Sequence, residues 1–399
     1  MGKSRVLSQS KAVYTTKTGV LYGSDTTIEL SGVEATQLHR IDSFSWDVDI
    51  DGARQDIRVF GQQARIGTVN NGDLSPKCSF SYLLTDGENE SHLGMEIKDS
   101  ITGNFVAGVQ CLSGFLTEHS DYKERNIFAV TVAEGVDAFS AASWTSQTNH
   151  DVVGFGNSFM SDYGLELSVG EIPKASTSFD CANIAFYTGI SSGLYNPSIN
   201  ASTAAIADSG QVALPVPSTG DSFVDVLRDG QIQLDLQEGT DLSIGGPSLA
   251  DIHPQSVSLS IPLGREALKE LGQELPYSRP LTFPIKATLA VSALAADMKE
   301  GQSKGLLTGC AGDVNRNIVV KLKDRCDGST VRFAYIVNNA VLDSVGNSQD
   351  LEGNETTDLQ FSVEIGGATT ITEGVHFSGS YLLANGSPVS PNYVSGLYA

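Results

Sequence analysis

Positive charge is scarce in this chain: 25 Lys and Arg stand against 47 Asp and Glu in 399 residues, giving a formal charge of −22 and a pI near 4.5. Adhesion to nucleic acid or to an anionic membrane needs clustered Lys and Arg to neutralise phosphate, so non-specific binding of either is excluded as a role. Such a surface repels DNA, which suits a wall along which DNA slides without sticking. Cysteine is scarce too. Cys78, Cys111, Cys181, Cys310 and Cys326 are odd in number, widely spaced and without a Cys-x-x-Cys pair, which argues against a disulfide framework or zinc site and for buried thiols. Long apolar runs are missing. The longest, from Ala287 to Ala296, is too short to span a bilayer, and no apolar segment follows Lys3 and Arg5, so the expectation is a soluble, intracellular chain without membrane insertion.

Motifs that carry chemistry are also lacking. There is no Walker loop, dinucleotide fingerprint, Gly-x-Ser-x-Gly elbow or paired histidine, and the six histidines are scattered singly. Asp47-x-Asp49-x-Asp51-Gly52 matches the first half of an EF-hand loop, but Arg58 occupies the position of the bidentate Glu, so the segment reads as a strand with an acidic outer face. Gly220-Asp221-Ser222 with Asp251 and His253 only superficially supplies a triad, because the Ser ends a Pro-rich stretch rather than a buried strand. Glu88 and Glu90 read as solvated loop carboxylates. No catalytic residue, cofactor or metal ligand is assigned, and no enzymatic activity is expected.

What is present is β-forming. A hydrophobic content of 40%, 41 Gly and only 4 Met, with abundant Thr, Ser and Val, favours strands and turns. The stretch from Pro254 to Ala296 organises the rest: Val257, Leu259 and Ile261 alternate with serines as in a half-buried strand, and Ala267, Leu268 and Leu271 fall at helical spacing within 264–271. A Pro-bounded connection, Pro276-Tyr277-Ser278-Arg279-Pro280, leads to a second strand. The same pattern occurs earlier, in 43–84. Gly61 matches Gly272 at an offset of 272 − 61 = 211, which also pairs Ser45 with Ser256, Ile50 with Ile261, Arg54 with Arg265 and Gln62 with Gln273, and sets Ile57 and Phe60 on Leu268 and Leu271. The chain therefore reads as two copies of one domain, each burying its own core.

Its expected parts are a basic arm over 1–24 with Lys3, Arg5, Lys11 and Lys17, copy one over 25–189, a linker or long loop over 190–224, copy two over 225–366, and a C-terminal extension over 367–399. Strands are expected at 27–30, 43–50, 77–84, 105–109, 126–132, 165–169 and 182–187, then at 231–236, 317–322, 331–337 and 359–365.

The run Ser256 to Ile261, then Arg265-Glu266, Leu271-Gly272 and Pro276 to Pro284, resembles the tail tube proteins of tailed bacteriophages. The resemblance covers about 45 residues and is echoed in copy one, where Ala64-Arg65-Ile66-Gly67 and Asn71-Gly72 replace the Pro-rich connection. It implies a mainly β chain, two tandem β-sandwich or half-barrel domains each with a short flanking α-helix. It further implies stacked rings of three chains with pseudo-six-fold symmetry, a conduit in a virion tail assembled in the host cytoplasm, and DNA passing without specific binding. The implied partners are further copies of the chain and tape measure, tail-tip and terminator proteins. Asp47, Asp49, Asp235 and Glu238 are candidate lumen acids. Arg54 and Arg265 at the expected helix start, and Lys3, Arg5, Lys11 and Lys17 in the arm, are candidate inter-subunit residues. Competing readings are a baseplate hub, tail terminator or decoration subunit, and a carbohydrate-binding β-sandwich, the last weakened by having only 2 Trp.

Overall fold

The computed structural model describes residues 10–18, 35–49, 54–70, 75–85, 87–93, 110–111, 124–132, 138, 150–188, 194–199, 211–217, 232–237, 254–271, 276, 278–294, 316–323, 331–348, 356–365 and 374–379. The strands of the first half are β1 (Lys11–Lys17), β2 (Thr36–Leu38), β3 (Ile41–Asp49), β4 (Arg54–Ile57), β5 (Gly67–Asn70), β6 (Ser75–Leu83), β7 (Gln110–Cys111), β8 (Glu124–Thr131), β9 (Asp151–Ser168) and β10 (Lys174–Thr188); a single turn, α1 (Glu88–His92), follows β6. After β11 (Leu194–Tyr195) and β12 (Gln211–Val212) come β13 (Ile232–Gln237), β14 (Pro254–Pro262), β15 (Ile285–Leu294), β16 (Arg316–Lys323), β17 (Val331–Ser348), β18 (Thr356–Ile365) and β19 (Gly374–Gly379).

The protein is mainly β, built on one large antiparallel sheet in the order β13-β16-β17-β18-β15-β14-β9-β10-β6-β3. Period-two patterning drives it. In β15, Ile285, Ala287, Leu289, Val291 and Ala293 are buried while Lys286, Thr288, Ala290 and Ser292 face outward. The main core cluster spans both halves: Phe80 and Leu165 from the first and Leu259, Leu289 and Phe361 from the second belong to it, while Tyr14, Phe128 and Val152 belong to a smaller separate cluster. The expectation of separate cores is thus corrected, because β14 lies between β9 and β15 and joins the halves into one sheet.

The halves nonetheless follow the same succession, β1-β8-β9-β10-β6-β3 in the first and β13-β16-β17-β18-β15-β14 in the second. Their irregularities fall at matching places. Ser161 is bulged out of β9 against β10, and Asp343 is bulged out of β17 against β18. Asn157 and Asn339 both have positive φ, 45° and 67°. Such a residue turns its N–H off the ladder, and a side-chain acceptor takes it up. Asn126 Oδ1 accepts from the Asn157 N–H at 3.1 Å, and Asn317 Oδ1 from the Asn339 N–H at 3.0 Å. These acceptors sit in Arg125-Asn126-Ile127 and Arg316-Asn317-Ile318, where β8 and β16 slip register. A third slip follows Ile41 in β3 and Pro254 in β14. The ladders therefore match Ser43 to Ser256, two residues from the sequence superposition, without changing which face each residue occupies.

No helix forms over 264–271, nor over the matching part of the first half. There β4 and β5 make a hairpin, and in the second half isolated bridges join Arg265 to Leu281 and Leu268 to Ser278. In these arms the offset of 211 holds, since Arg54 opposite Asn70 corresponds to Arg265 opposite Leu281. A short helix needs an apolar face packed on something. Leu271 is fully exposed, so its helical spacing had nothing to bury against.

Residues 11–17 are not a free arm, since β1 pairs with both β8 and β2 and buries Val13 and Tyr14. Nor is all of 190–224 a linker. Leu194–Tyr195 pairs with Gln211–Val212, the Tyr14 hydroxyl donates to the Pro215 carbonyl at 2.9 Å, and the backbone at Pro197 passes so close to Gly156 that a Cβ there would fall on its carbonyl. The expected strands at 27–30 and 105–109 lie outside the described residues, as does most of the C-terminal extension; its residues 374–379 form β19, which pairs with β17 and β7.

Candidate functional site

Alternation along each strand gives the sheet one apolar and one polar face, and the polar face is continuous across both halves. One cross-strand row reads Ser43, Ser81, Ser176, Gly164, Ser260, Thr288 and Ser362; the next reads Lys174, Glu166, Ser258, Ala290 and Gln360. Small hydroxyl side chains dominate it, with Ser43 Oγ and Ser81 Oγ 2.7 Å apart and Ser45 Oγ and Ser79 Oγ also 2.7 Å apart. Carboxylates outnumber amines there. Asp47, Asp49, Asp162, Glu166, Asp180, Asp343, Asp358 and Glu364 face Lys77, Lys174 and Lys286.

The lysines are paired. Lys174 Nζ lies 2.8 Å from Asp42, Lys286 Nζ 2.9 Å from Asp343 and Lys77 Nζ 3.8 Å from Asp180. The hydrogen bond that Lys174 donates to Asp42 holds its ammonium above the usual range, and the one that Lys286 donates to Asp343 holds that carboxyl below its own. Burial pushes the Asp162 carboxyl up. Two shallow depressions, of about 430 and 390 Å³, surround the matching bulges at Ser161 and Asp343. Among the described residues no three His, Cys, Asp or Glu side chains converge as a metal site would need, and no helix is long and apolar enough to cross a membrane.

The rims differ from the face. At one end of the sheet, β3 pairs with β6 and with no other described strand, and Trp46 on it is 47% exposed although its ring meets those of Phe155 and Phe186. Towards the other end, residues 341–348 of β17 pair with β18, and no described strand covers their opposite edge. Beyond the sheet, the β4–β5 hairpin and its counterpart end in the matched residues Phe60 and Leu271, both fully exposed, with Ile57, Val59, Ile66 and Val69 also largely open. Contiguous exposed apolar side chains mark contact surfaces.

Of the candidate lumen acids, Asp47 and Asp49 lie exposed on the polar face, Asp47 opposite Lys77. Asp235 lies in β13 opposite Val319, and Glu238 is outside the described residues. Among candidate inter-subunit residues, Arg54 opens the exposed β4 arm, Lys11 and Lys17 close the two ends of β1, and Lys3 and Arg5 are outside the described residues. Arg265 makes contacts within the chain. It belongs to the second half but donates to the carbonyl of Met160 in β9 (3.3 Å) and to that of Arg279 (3.1 Å), with its guanidinium 4.9 Å above the Phe159 ring. Burial there lowers its pKa to about 10.

Sequence reasoning missed the buried polar centre between the halves. Glu88 and Glu90 are buried rather than solvated. The hydroxyls of Tyr82 and Tyr163 donate to Glu90 Oε1 at 2.8 and 3.1 Å, and Tyr163 and Tyr335 hydroxyls are 2.9 Å apart, linking the first half to the second. A buried carboxylate must be hydrogen-bonded in this way. The repeated Arg-Asn-Ile triplet was a readable signal for the second matched strand pair. Cys78 and Cys181 are buried free thiols with sulfurs 3.8 Å apart, and burial raises the Cys78 pKa.

No family model matches the chain, and no curated protein matches it. Among solved structures, a chain described as "Virion of native gene transfer agent (GTA) particle" is similar at 10% identity and a TM-score of 0.20, over 33% of this chain and 90% of that one, a likeness too slight to carry fold or function.

Proposed function

We propose that this chain is a structural subunit of a virion, and within that class a tail tube subunit whose two halves are copies of one domain. One observation carries the reading: the halves share strand order and irregularities, one seam between them is sealed, and among the described residues no strand covers the two edges that would complete the pattern. An open edge is an aggregation hazard in a monomer and a joint in an assembly. The continuous face of serines and carboxylates suits the wall of a conduit, because it offers DNA no apolar foothold and repels phosphate. Three chains, each contributing two halves, would make a six-position ring. The exposed hairpin tips at Phe60 and Leu271 would then stack one ring on the next. The chain partners itself, binds DNA nowhere specifically, catalyses nothing, and takes its place in a virion tail with tape measure, tail-tip and terminator proteins at its ends.

Electron microscopy of the purified full-length chain tests this. Hollow rods with three chains per ring are expected, and Phe60→Asp with Leu271→Asp is expected to leave rings that do not stack. A monodisperse chain, inert also when tail tips are added, would instead assign it to a hub, terminator or decoration role.

A further inference from the structure

The sealed seam inside the chain is a template for an unsealed one. In the seam, β14 runs antiparallel to residues 162–168 of β9, with Ser258 opposite Glu166, Ser260 opposite Gly164, Ile261 opposite Tyr163 and Pro262 opposite Asp162. The matched ladders give each of these a counterpart. Ser45, Asp47, Val48 and Asp49 stand in β3 where Ser258, Ser260, Ile261 and Pro262 stand in β14. Ser348, Gly346, Val345 and Ser344 stand in β17 where Glu166, Gly164, Tyr163 and Asp162 stand in β9, fixed by the shared bulge and by the Asn157 and Asn339 positions.

Hydrogen-bond parity fits as well. At the two ends of the seam Leu263 N–H donates to the Ser161 carbonyl at 2.8 Å and Val169 N–H to the Gln255 carbonyl at 2.9 Å, so Val257, Leu259 and Ile261 are the residues that exchange bonds with β9. Their counterparts Phe44, Trp46 and Val48 therefore turn N–H and C=O towards the open side of β3.

We propose that a second copy of this chain fills each open edge: β3 of one copy pairs antiparallel with residues 344–348 of β17 of its neighbour, in the register Ser45 opposite Ser348, Asp47 opposite Gly346, Val48 opposite Val345 and Asp49 opposite Ser344. This rests on the self-assembly reading above and gives it a residue-level joint. The two edges are different surfaces, so the contact is head to tail and each joint leaves one edge of each kind open, which generates rings or filaments and no closed two-fold dimer. No carboxylate opposes another across the joint. Arg54, matched to Arg265, reaches the Leu342 carbonyl of the neighbour as Arg265 reaches that of Met160.

Ser45→Cys combined with Ser348→Cys tests the register, because the template pair Ser258 and Glu166 is of the non-hydrogen-bonded kind, whose Cβ atoms lie close enough for a disulfide. The full chain is assembled, imaged, oxidised and run without reductant. The expected result is a ladder of linked chains from the double variant and none from either single variant, from the parent, or from Ser45→Cys with Ser344→Cys, which is out of register. Rods that form without the ladder overturn this joint and leave the tube reading standing. A ladder without hollow rods supports the joint and overturns the tube. Cross-linking by Ser45→Cys alone means that β3 meets β3, which overturns the head-to-tail joint, and a chain that stays monomeric overturns both.

Discussion

β3 and β14 occupy the same place in the two halves and slip register at the same point, yet β14 is sealed on both sides and β3 has one edge that no described strand covers. In β14, Val257, Leu259 and Ile261 are buried between β15 and β9; in β3 the residue matched to Leu259 is Trp46, nearly half of it in solvent. Both strands alternate apolar and polar residues. What separates them is the neighbour: among the described residues β14 has strands on both sides and β3 on one. Burial of a strand is a property of its surroundings, and β3 carries the pattern of a covered strand without a second described strand to cover it.

Proline separates the two strands most strongly. Ile261→Pro removes an N–H that bonds β9 and places a ring inside the ladder, so the chain is expected to lose about 3 kcal/mol or more and to fold poorly. Val48→Pro removes the matched N–H at an open edge, where proline is tolerated, so the separated chain is expected to stay within about 1 kcal/mol of the parent while assembly is abolished. Circular dichroism melts with sizing of the same samples read both effects. Equal damage from the two substitutions would mean that the edge of β3 is covered within the chain.

Side-chain truncation gives a smaller contrast. Leu259→Ala should cost roughly 2–5 kcal/mol in the unassembled chain, as for any buried Leu. Trp46→Ala should cost about 2 kcal/mol there, because only half of its area is covered, and a similar further loss should register only in the assembled form. Denaturant melts before and after assembly separate the two contributions.

Much of this contrast was legible in sequence, and its decisive part was not. Strict alternation gave the strands near 43–50, 77–84 and 317–322, and it set Asp47 and Asp49 on the polar face. The 18-residue strands β9 and β17 were recognised only in part, as 165–169 and 331–337. Gly154, Gly156, Asn157 and Gly164 interrupt the pattern of β9, and the side chain that takes up the Asn157 N–H, Asn126, lies on another strand. The helices over 264–271 and its counterpart were read from spacing alone, whereas the absence of anything for Leu271 and Phe60 to pack on decided otherwise. Glu90 reads as solvated in sequence because nothing local shows that Tyr82, eight residues upstream, turns its hydroxyl to it, and its other donor, Tyr163, comes from a distant strand. Which edge is sealed depends on strand order, and strand order is not written in local pattern.

The inner seam has a further support at Tyr163, where the matched position in β17 is Val345. Tyr335→Phe removes the hydroxyl that meets Tyr163, and is expected to cost about 1 kcal/mol of chain stability without changing assembly. If assembly fell while stability held, the tyrosine centre would belong to the joint between chains.

The smallest expected effect concerns charge beside the outer seam. Asp343 is the bulged residue next to Ser344, and its counterpart at the inner seam, Ser161, is uncharged. Lys286 lowers the Asp343 pKa in the folded chain, so the unfolded carboxyl binds its proton more readily than the folded one. The contribution is therefore present above the ordinary carboxylate value near ~3.9 and is lost as pH falls through the lower folded value. Both partners are substantially exposed, with side-chain exposures of 54% and 34%, so solvent screening keeps the pair below about 1 kcal/mol. Asp343→Asn should thus lower stability slightly at neutral pH and converge with the parent in acid, while Ser161→Ala should shift stability by the same amount at every pH. Urea melts across that range decide it, and a pH-dependent gap at Ser161 instead would mean that the two bulges are not equivalent positions.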